Sequence, residues 1–234
     1  MICLNWNVEW AVGDSPEGEI IRSIVNRVNP DVMCLTETTL GMVPASGHFI
    51  ASDPEYGYPN NGTRRKVVLW SREPWSEIDT VGAPSMPSGR FVSGITQGIR
   101  FAGVCIPWKD AHVRSGRRDR ALWEDHLAYL SGFASVLAAY RNSMPLCVLG
   151  DYNQNIPRKH QPSHVAQALT EAFGDDLLIA TTGKLDNKGE RLVDHYAHTN
   201  HLTVEVLEII PKRTEDETKL SDHVGVVASI SFSG

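Results

Sequence analysis

No stretch of this chain is apolar for long enough to cross a bilayer, and no two cysteines stand at the Cys-x-x-Cys spacing of a structural zinc site. The four cysteines, Cys3, Cys34, Cys105 and Cys147, lie far apart, each in an apolar run. They read as reduced thiols packed as small hydrophobes. Repeats and low-complexity tracts are missing too, which excludes solenoids and disordered arrays. The opening residues carry neither the basic segment nor the apolar run of a secretion signal. The expectation is therefore a cytoplasmic monomer with no membrane partner. Acid outweighs base, with a formal net charge of −6, which argues against nonspecific coating of nucleic acid but not against a local basic strip.

What is present is an ordinary globular composition, 41% hydrophobic and 21% charged, on a chain of 234 residues, enough for one full core. Short β-rich runs recur at 2–6, 32–35, 66–70, 99–106, 146–149, 202–209 and 224–230. Between the first two, Ile20, Ile21, Ile24, Val25 and Val28 share one face of a helix over 16–28. A longer helix is expected from about 116 to 141, where Trp123, Leu127, Leu130, Ala134 and Leu137 repeat at helical spacing and Pro145 closes the segment. A third is expected over 163–173, entered by Pro162 with Ser163 as a capping-type residue. Gly/Pro/Asn-rich stretches such as 54–62 and 82–89 read as surface loops, none of them a linker. Strands separated by few helices predict packed sheets with helices outside, in a single domain over 1–234.

Polar residues end several of these strands, where packing explains them poorly. Asn7 ends the first, with Glu9 beyond it, and Glu37 ends the second. Gly150-Asp151-Tyr152-Asn153 follows the apolar run at 146–149, Asp194-His195 lies farther on, and Ser221-Asp222-His223 precedes the last strand. Each alone is ordinary turn or cap chemistry. As a set, carboxylates and carboxamides at strand ends are what an oxygen-ligated Mg²⁺ or Mn²⁺ ion requires.

Taken in order, Asn7-Val8-Glu9, the run from Pro30-Asp31 to Thr36-Glu37, Gly150-Asp151-Tyr152-Asn153, Leu192-Val193-Asp194-His195 and Ser221-Asp222-His223 resemble five motifs of the endonuclease/exonuclease/phosphatase superfamily. That superfamily includes abasic-site endonucleases, DNase I-like nucleases, inositol-polyphosphate phosphatases and neutral sphingomyelinases. The resemblance implies a four-layer α-β-β-α sandwich of two mixed sheets. It implies a hydrolase dependent on Mg²⁺ or Mn²⁺, with Glu37 as the main metal ligand, Asn7 beside it and Asp222 on the metal side. Glu9 falls where relatives can carry another acidic residue. Asp151 and Asn153 match the pair that handles the water or leaving group and the phosphate oxygen. Asp194 matches the carboxylate that orients His223, the imidazole on the phosphate. General acid and general base stay unassigned between these groups.

Cys105 stands where many relatives place a phosphate-contacting Tyr or His, with Trp108, Lys109 and His112 as substitutes nearby. Arg90 stands where nuclease-like relatives place a basic residue in the groove. Arg114, Arg117, Arg118 and Arg120, with Arg64, Arg65 and Lys66 and with Arg158, Lys159 and His160, form local basic clusters. Such a strip would suit a nucleic-acid backbone, and Arg117 and Arg118 join Arg90 as substrate-binding candidates. A nuclease acting on DNA or RNA is the expected function. A phosphodiesterase or phosphatase for small molecules or nucleotides is the alternative. A binding module without activity is disfavoured because the positions of Glu37 and Asp151 are filled.

Overall fold

The computed structural model describes residues 1–141 and 144–234, arranged as two six-stranded sheets and three α-helices. The strands are β1 (Ile2–Asn7), β2 (Val32–Thr39), β3 (His48–Ala51), β4 (Arg64–Ser71), β5 (Ser76–Asp79) and β6 (Phe91–Thr96). They continue with β7 (Ile99–Cys105), β8 (Leu146–Asp151), β9 (Leu178–Ile179), β10 (Asp194–His198), β11 (Leu202–Ile210) and β12 (Gly225–Phe232). The helices are α1 (Pro16–Val28), α2 (Glu124–Tyr140) and α3 (Ser163–Phe173). The sheets run β11-β12-β1-β2-β4-β3 and β5-β6-β7-β8-β10-β9.

Each sheet is antiparallel except for one central parallel pair, β1 with β2 and β7 with β8. Parallel neighbours need a crossover, and a helix supplies it in both cases: α1 joins β1 to β2, and α2 joins β7 to β8. Cys3, Cys34, Leu69, Phe101, Cys147, Leu149 and Tyr196 fill the space between the sheets. Leu4, Trp6, Met33 and Leu35 meet α1 on one outer face, and Val104, Val148 and Ala197 meet α2 and α3 on the other. Four layers follow, as expected.

Helix α1 keeps its expected bounds because its ends are well signalled. Ser15 Oγ accepts the Gly18 N–H at 3.1 Å, Pro16 opens the helix, and Asn29 closes it at φ 52°. Helix α3 also keeps its bounds, but Ser163 is its first residue, not its cap, and Pro162 makes no side-chain capping bond. Helix α2 differs more. It starts at Glu124, not near 116, because Gly116, Arg118 and Trp123 all adopt positive φ and hold the preceding segment in turns. Its buried face runs through His126, Tyr129, Leu130, Phe133, Val136 and Leu137, so only Leu130 and Leu137 of the expected stripe are buried. Strands β3, β5, β6, β9 and β10 were not among the expected runs.

Candidate functional site

Alternation along the strands builds the site. On β1, Leu4 and Trp6 join the cluster around α1, followed by Val8 just past the strand's end, so Cys3, Asn5 and Asn7 point to the opposite sheet. On β8, Cys147 and Leu149 enter the inter-sheet core, and Asp151 follows them at the strand's end. On β10, Tyr196 faces inward and Asp194 follows the same face, directly across from Asp151 in the ladder. The sheets are pinned together beneath this end by Asn5, whose Nδ2 donates to the carbonyls of Gly150 at 3.1 Å and His195 at 3.3 Å.

Asp151 is buried and heavily bonded. Its Oδ2 accepts from Asn7 Nδ2 at 3.1 Å and Asn153 Nδ2 at 2.9 Å, and its Oδ1 accepts the Asn153 N–H at 2.9 Å. Asn153 Nδ2 also donates to the Ile106 carbonyl at 2.9 Å, so both amide hydrogens are engaged. Burial pushes the Asp151 carboxyl up to about 7; His223 opposes the shift, while Asp194 and Glu37 reinforce it.

His223 Nδ1 lies 2.6 Å from Asp194 Oδ2. Burial disfavours the imidazolium, but Asp194 and then Asp151 outweigh it and raise His223 to about 10. With Nδ1 on Asp194, Nε2 is left facing the site, 3.8 Å from Asp222 Oδ1. One ligand-type atom from each of Asp151, Asp194 and His223 lies within 4.8 Å of the others. Ser221 seats this motif: its Oγ donates to the Asn7 carbonyl at 2.6 Å and accepts the His223 N–H at 3.1 Å.

The remaining expected residues fall as follows. Glu37 holds the Lys66 ammonium at 2.5 Å and acts electrostatically on Asp151 and Asp194. Glu9 binds Lys219 Nζ at 2.6 Å and the Asp222 N–H at 2.9 Å, joining the first motif to the last. Cys105 does not reach the surface: it is 1% exposed in the inter-sheet core, where alternation along β7 turns it inward. Of its proposed substitutes, Lys109 lies 3.9 Å from Asp110, His112 is buried, and Trp108 is exposed. Arg90 is also buried, with Nη1 donating to the Cys105 carbonyl at 3.4 Å, so it does not line an open groove. Arg117 lies 3.4 Å from Asp119 and 3.7 Å from Asp125, while Arg118 is exposed.

Sequence reasoning missed the setting of Lys66. It is a buried ammonium, 4.9 Å from the Trp10 ring centroid and 5.5 Å from that of Tyr56. A lysine beginning a strand among arginines looks like surface charge, and only the fold brings it to Glu37. Glu9, Trp10, Glu37, His112 and Asn153 all hold positive φ, a conformation that costs non-glycine residues on the order of 1–3 kcal/mol each and gathers at functional sites.

A divalent cation fits this chemistry. Among the described residues, the carboxylates of Glu37, Asp151, Asp194 and Asp222 share the cluster with the cations of Lys66 and His223, leaving negative charge in excess. Asp194 Oδ1 is buried without a partner among the described residues. Asn7 Oδ1 accepts the Glu9 N–H with one lone pair and keeps another. The donors of Glu37, Asn7 and Asp222 are all oxygens, as a hard cation prefers.

The fold has counterparts among solved structures. The Neisseria 3′ phosphatase NExo bound to a product DNA hairpin superposes with a TM-score of 0.72 at 16% identity, covering 99% of this chain and 100% of its own. An AP endonuclease from Archaeoglobus fulgidus gives 0.68 at 15%, covering 100% of both chains. The human Nocturnin catalytic domain with bound sulfate gives 0.68 at 15%, covering 100% of this chain and 94% of its own. No curated protein matches the sequence significantly. The model of the endonuclease/exonuclease/phosphatase family matches residues 4–223, a span that takes in every motif residue from Asn7 to His223, and the chain belongs to that family.

Proposed function

We propose that this protein is a divalent-metal-dependent phosphodiesterase that cleaves nucleic acid, with Asp151, Asn153, Asp194 and His223 as its reacting and positioning groups. The observation that carries this reading is the buried Asp151–Asp194–His223 cluster, with carboxylate charge in excess and Glu37 and Asn7 beside it. Asp151 ends β8 at the site and is placed to accept a proton from the attacking water. Asn7 and Asn153 fix its carboxylate by their amide bonds. Asp194 fixes the orientation of the His223 ring and keeps it cationic, so Nε2–H can donate a charge-assisted bond to a nonbridging phosphate oxygen. Glu37, Asn7 and Asp222 would hold Mg²⁺ or Mn²⁺, which when bound supplies Lewis-acid polarisation of the phosphoryl oxygen and eases loss of the leaving alkoxide. The Neisseria neighbour is bound to a product DNA hairpin and the Archaeoglobus neighbour is named an AP endonuclease, which supports a nucleic-acid substrate.

A second reading, a phosphatase or phosphodiesterase for small molecules or nucleotides, is favoured by the state of the basic strip. Arg117 and Arg120 lean on Asp119, Glu124 and Asp125, which leaves less free charge for a long polyanion. A panel of DNA, RNA, abasic duplex, cyclic nucleotides and phosphoinositides, run in EDTA and then with Mg²⁺ or Mn²⁺, separates the two. Metal-restored cleavage of DNA or RNA is expected. Turnover confined to small phosphate esters would establish the second reading, and full activity in chelator would remove both.

A further inference from the structure

Beside Glu37 lies a cleft of about 350 Å³ that the catalytic reading leaves unexplained. Its walls include Trp10, Tyr56, Tyr58 and Trp108, with the cations Arg64 and Lys66. Three of the rings form a ladder. Trp10 stacks on Tyr56 with centroids 5.8 Å apart, Tyr58 follows Tyr56 at 6.2 Å, and His112 stacks behind Tyr58 at 4.3 Å. Trp108 differs: it is 45% exposed and stacks on no other ring among the described residues. An indole left open to water in a cleft otherwise walled by paired rings has an unused π-face.

The cations make this more than an apolar patch. Arg64 lies 5.1 Å from the Trp10 centroid, and Lys66 sits between that ring and the Glu37 carboxylate. The Trp10 N–H donates to the Glu37 carbonyl at 2.6 Å, and both residues hold positive φ, Trp10 in the turn after β1 and Glu37 within β2. The ladder is therefore fastened to the candidate metal ligand itself. A ligand in the cleft would meet aromatic faces first and an ammonium next, with the carboxylate cluster beyond.

We propose that this cleft is a nucleobase subsite that stacks one unpaired base of the substrate on Trp108 and the Trp10–Tyr56–Tyr58 wall, with Arg64 taking the adjoining phosphate. The inference rests on the nucleic-acid reading of the neighbouring centre and makes it more specific. A planar, neutral π-system carrying an anion matches a wall of rings edged by cations, whatever the base identity. A paired base has both faces covered by its neighbours, so the site selects a single-stranded oligonucleotide over a duplex.

The test is binding and steady-state kinetics with an oligothymidylate, the same oligomer with an abasic residue at each position in turn, its duplex, and thymidine monophosphate. Binding is read by tryptophan fluorescence in EDTA, so that it does not depend on turnover. Stacking of one base is worth roughly 10- to 100-fold in affinity. Trp108→Ala should therefore weaken oligothymidylate binding and raise its KM by about that factor, with Trp108→Phe restoring most of it. The ratio of KM between the abasic and intact oligomers should fall toward one in Trp108→Ala. Thymidine monophosphate competing as well as the oligomer would retain the base subsite but overturn the single-stranded oligonucleotide as its occupant. Equal binding of duplex and single strand, with Trp108→Ala silent on both, would overturn the inference. Metal-restored phosphodiester cleavage in that same protein would show that the catalytic reading survives the failure.

Discussion

Asp194 Oδ2 meets His223 Nδ1 at 2.6 Å, a bond between the first residue of β10 and the turn that leads into β12, on the other sheet. The pair closes the end of the inter-sheet core and leaves one imidazole nitrogen for the site. If Asp194 acts only by holding and charging His223, the two residues form one unit. Asp194→Ala and His223→Ala should each slow phosphodiester cleavage by orders of magnitude, and the double variant should be little slower than His223→Ala, because such units are strongly non-additive. Kinetics of the three variants check this. Multiplicative losses would mean that Asp194 acts by itself.

Gly150 carries a second expectation. It sits at φ 142° opposite Val104, and a Cβ there would come within 1.9 Å of the Val104 carbonyl oxygen. β8 can therefore deliver Asp151 to the site only with glycine at this position. Gly150→Ala should destabilise the protein by about 2 kcal/mol or more, since backbone has to move. Chemical unfolding measures it, and a stability within about 0.5 kcal/mol of wild type, the range of a neutral surface change, would count against the close approach.

These residues show what the sequence made legible. Asn7, Glu37, Asp151, Asp194 and His223 stand out because polar groups at strand ends break an apolar pattern that local residues set. Helix α1 is legible for the same reason, since Ser15 and Asn29 act locally. Cys105 does stand beside Asp151 in the β7–β8 ladder, but motif order does not show that it is buried there. The start of α2 was missed because Arg117 and Arg120 hold the preceding turns through partners as far along as Asp125. Strand β10 reads Asp-His-Tyr-Ala-His, hardly a buried strand, yet every residue in it is buried. Its polar groups find partners from distant segments, such as Thr181 and Gln154 for His195.

Those buried histidines set an acid limit on folding. His195 Nδ1 lies 2.7 Å from Thr181 Oγ1, and Nε2 lies 2.9 Å from the Gln154 carbonyl, a pattern that suits one neutral tautomer. His126 is held between the Pro107 carbonyl at 2.7 Å and Gln154 Nε2 at 2.8 Å, so protonating it would set N–H against N–H. Burial lowers both to about 4 from 6.5. Between about 4 and 6.5 the unfolded chain binds more protons than the folded one, so stability falls as pH falls through that window. Asp151, raised from 3.8 to about 7, works in the opposite sense across this whole window, and a paired comparison cancels it. In EDTA, His126→Gln should lose about one proton from the slope of unfolding free energy against pH relative to wild type. Urea unfolding at pH 7, 6 and 5 measures this, and identical slopes would show that His126 does not stay neutral.

The central claim is that a metal-dependent water attack on a phosphodiester is assisted by Asp151. The most direct measurement is the cleavage rate of a single-stranded oligonucleotide by EDTA-stripped wild type and Asp151→Asn, before and after adding Mg²⁺ or Mn²⁺. The account predicts no cleavage in chelator and recovery of the wild type with metal. It also predicts an Asp151→Asn rate about 10²- to 10⁴-fold lower, with unfolding unchanged in cooperativity. Wild-type cleavage that persists in chelator, or an Asp151→Asn rate within tenfold of the wild type, would contradict it.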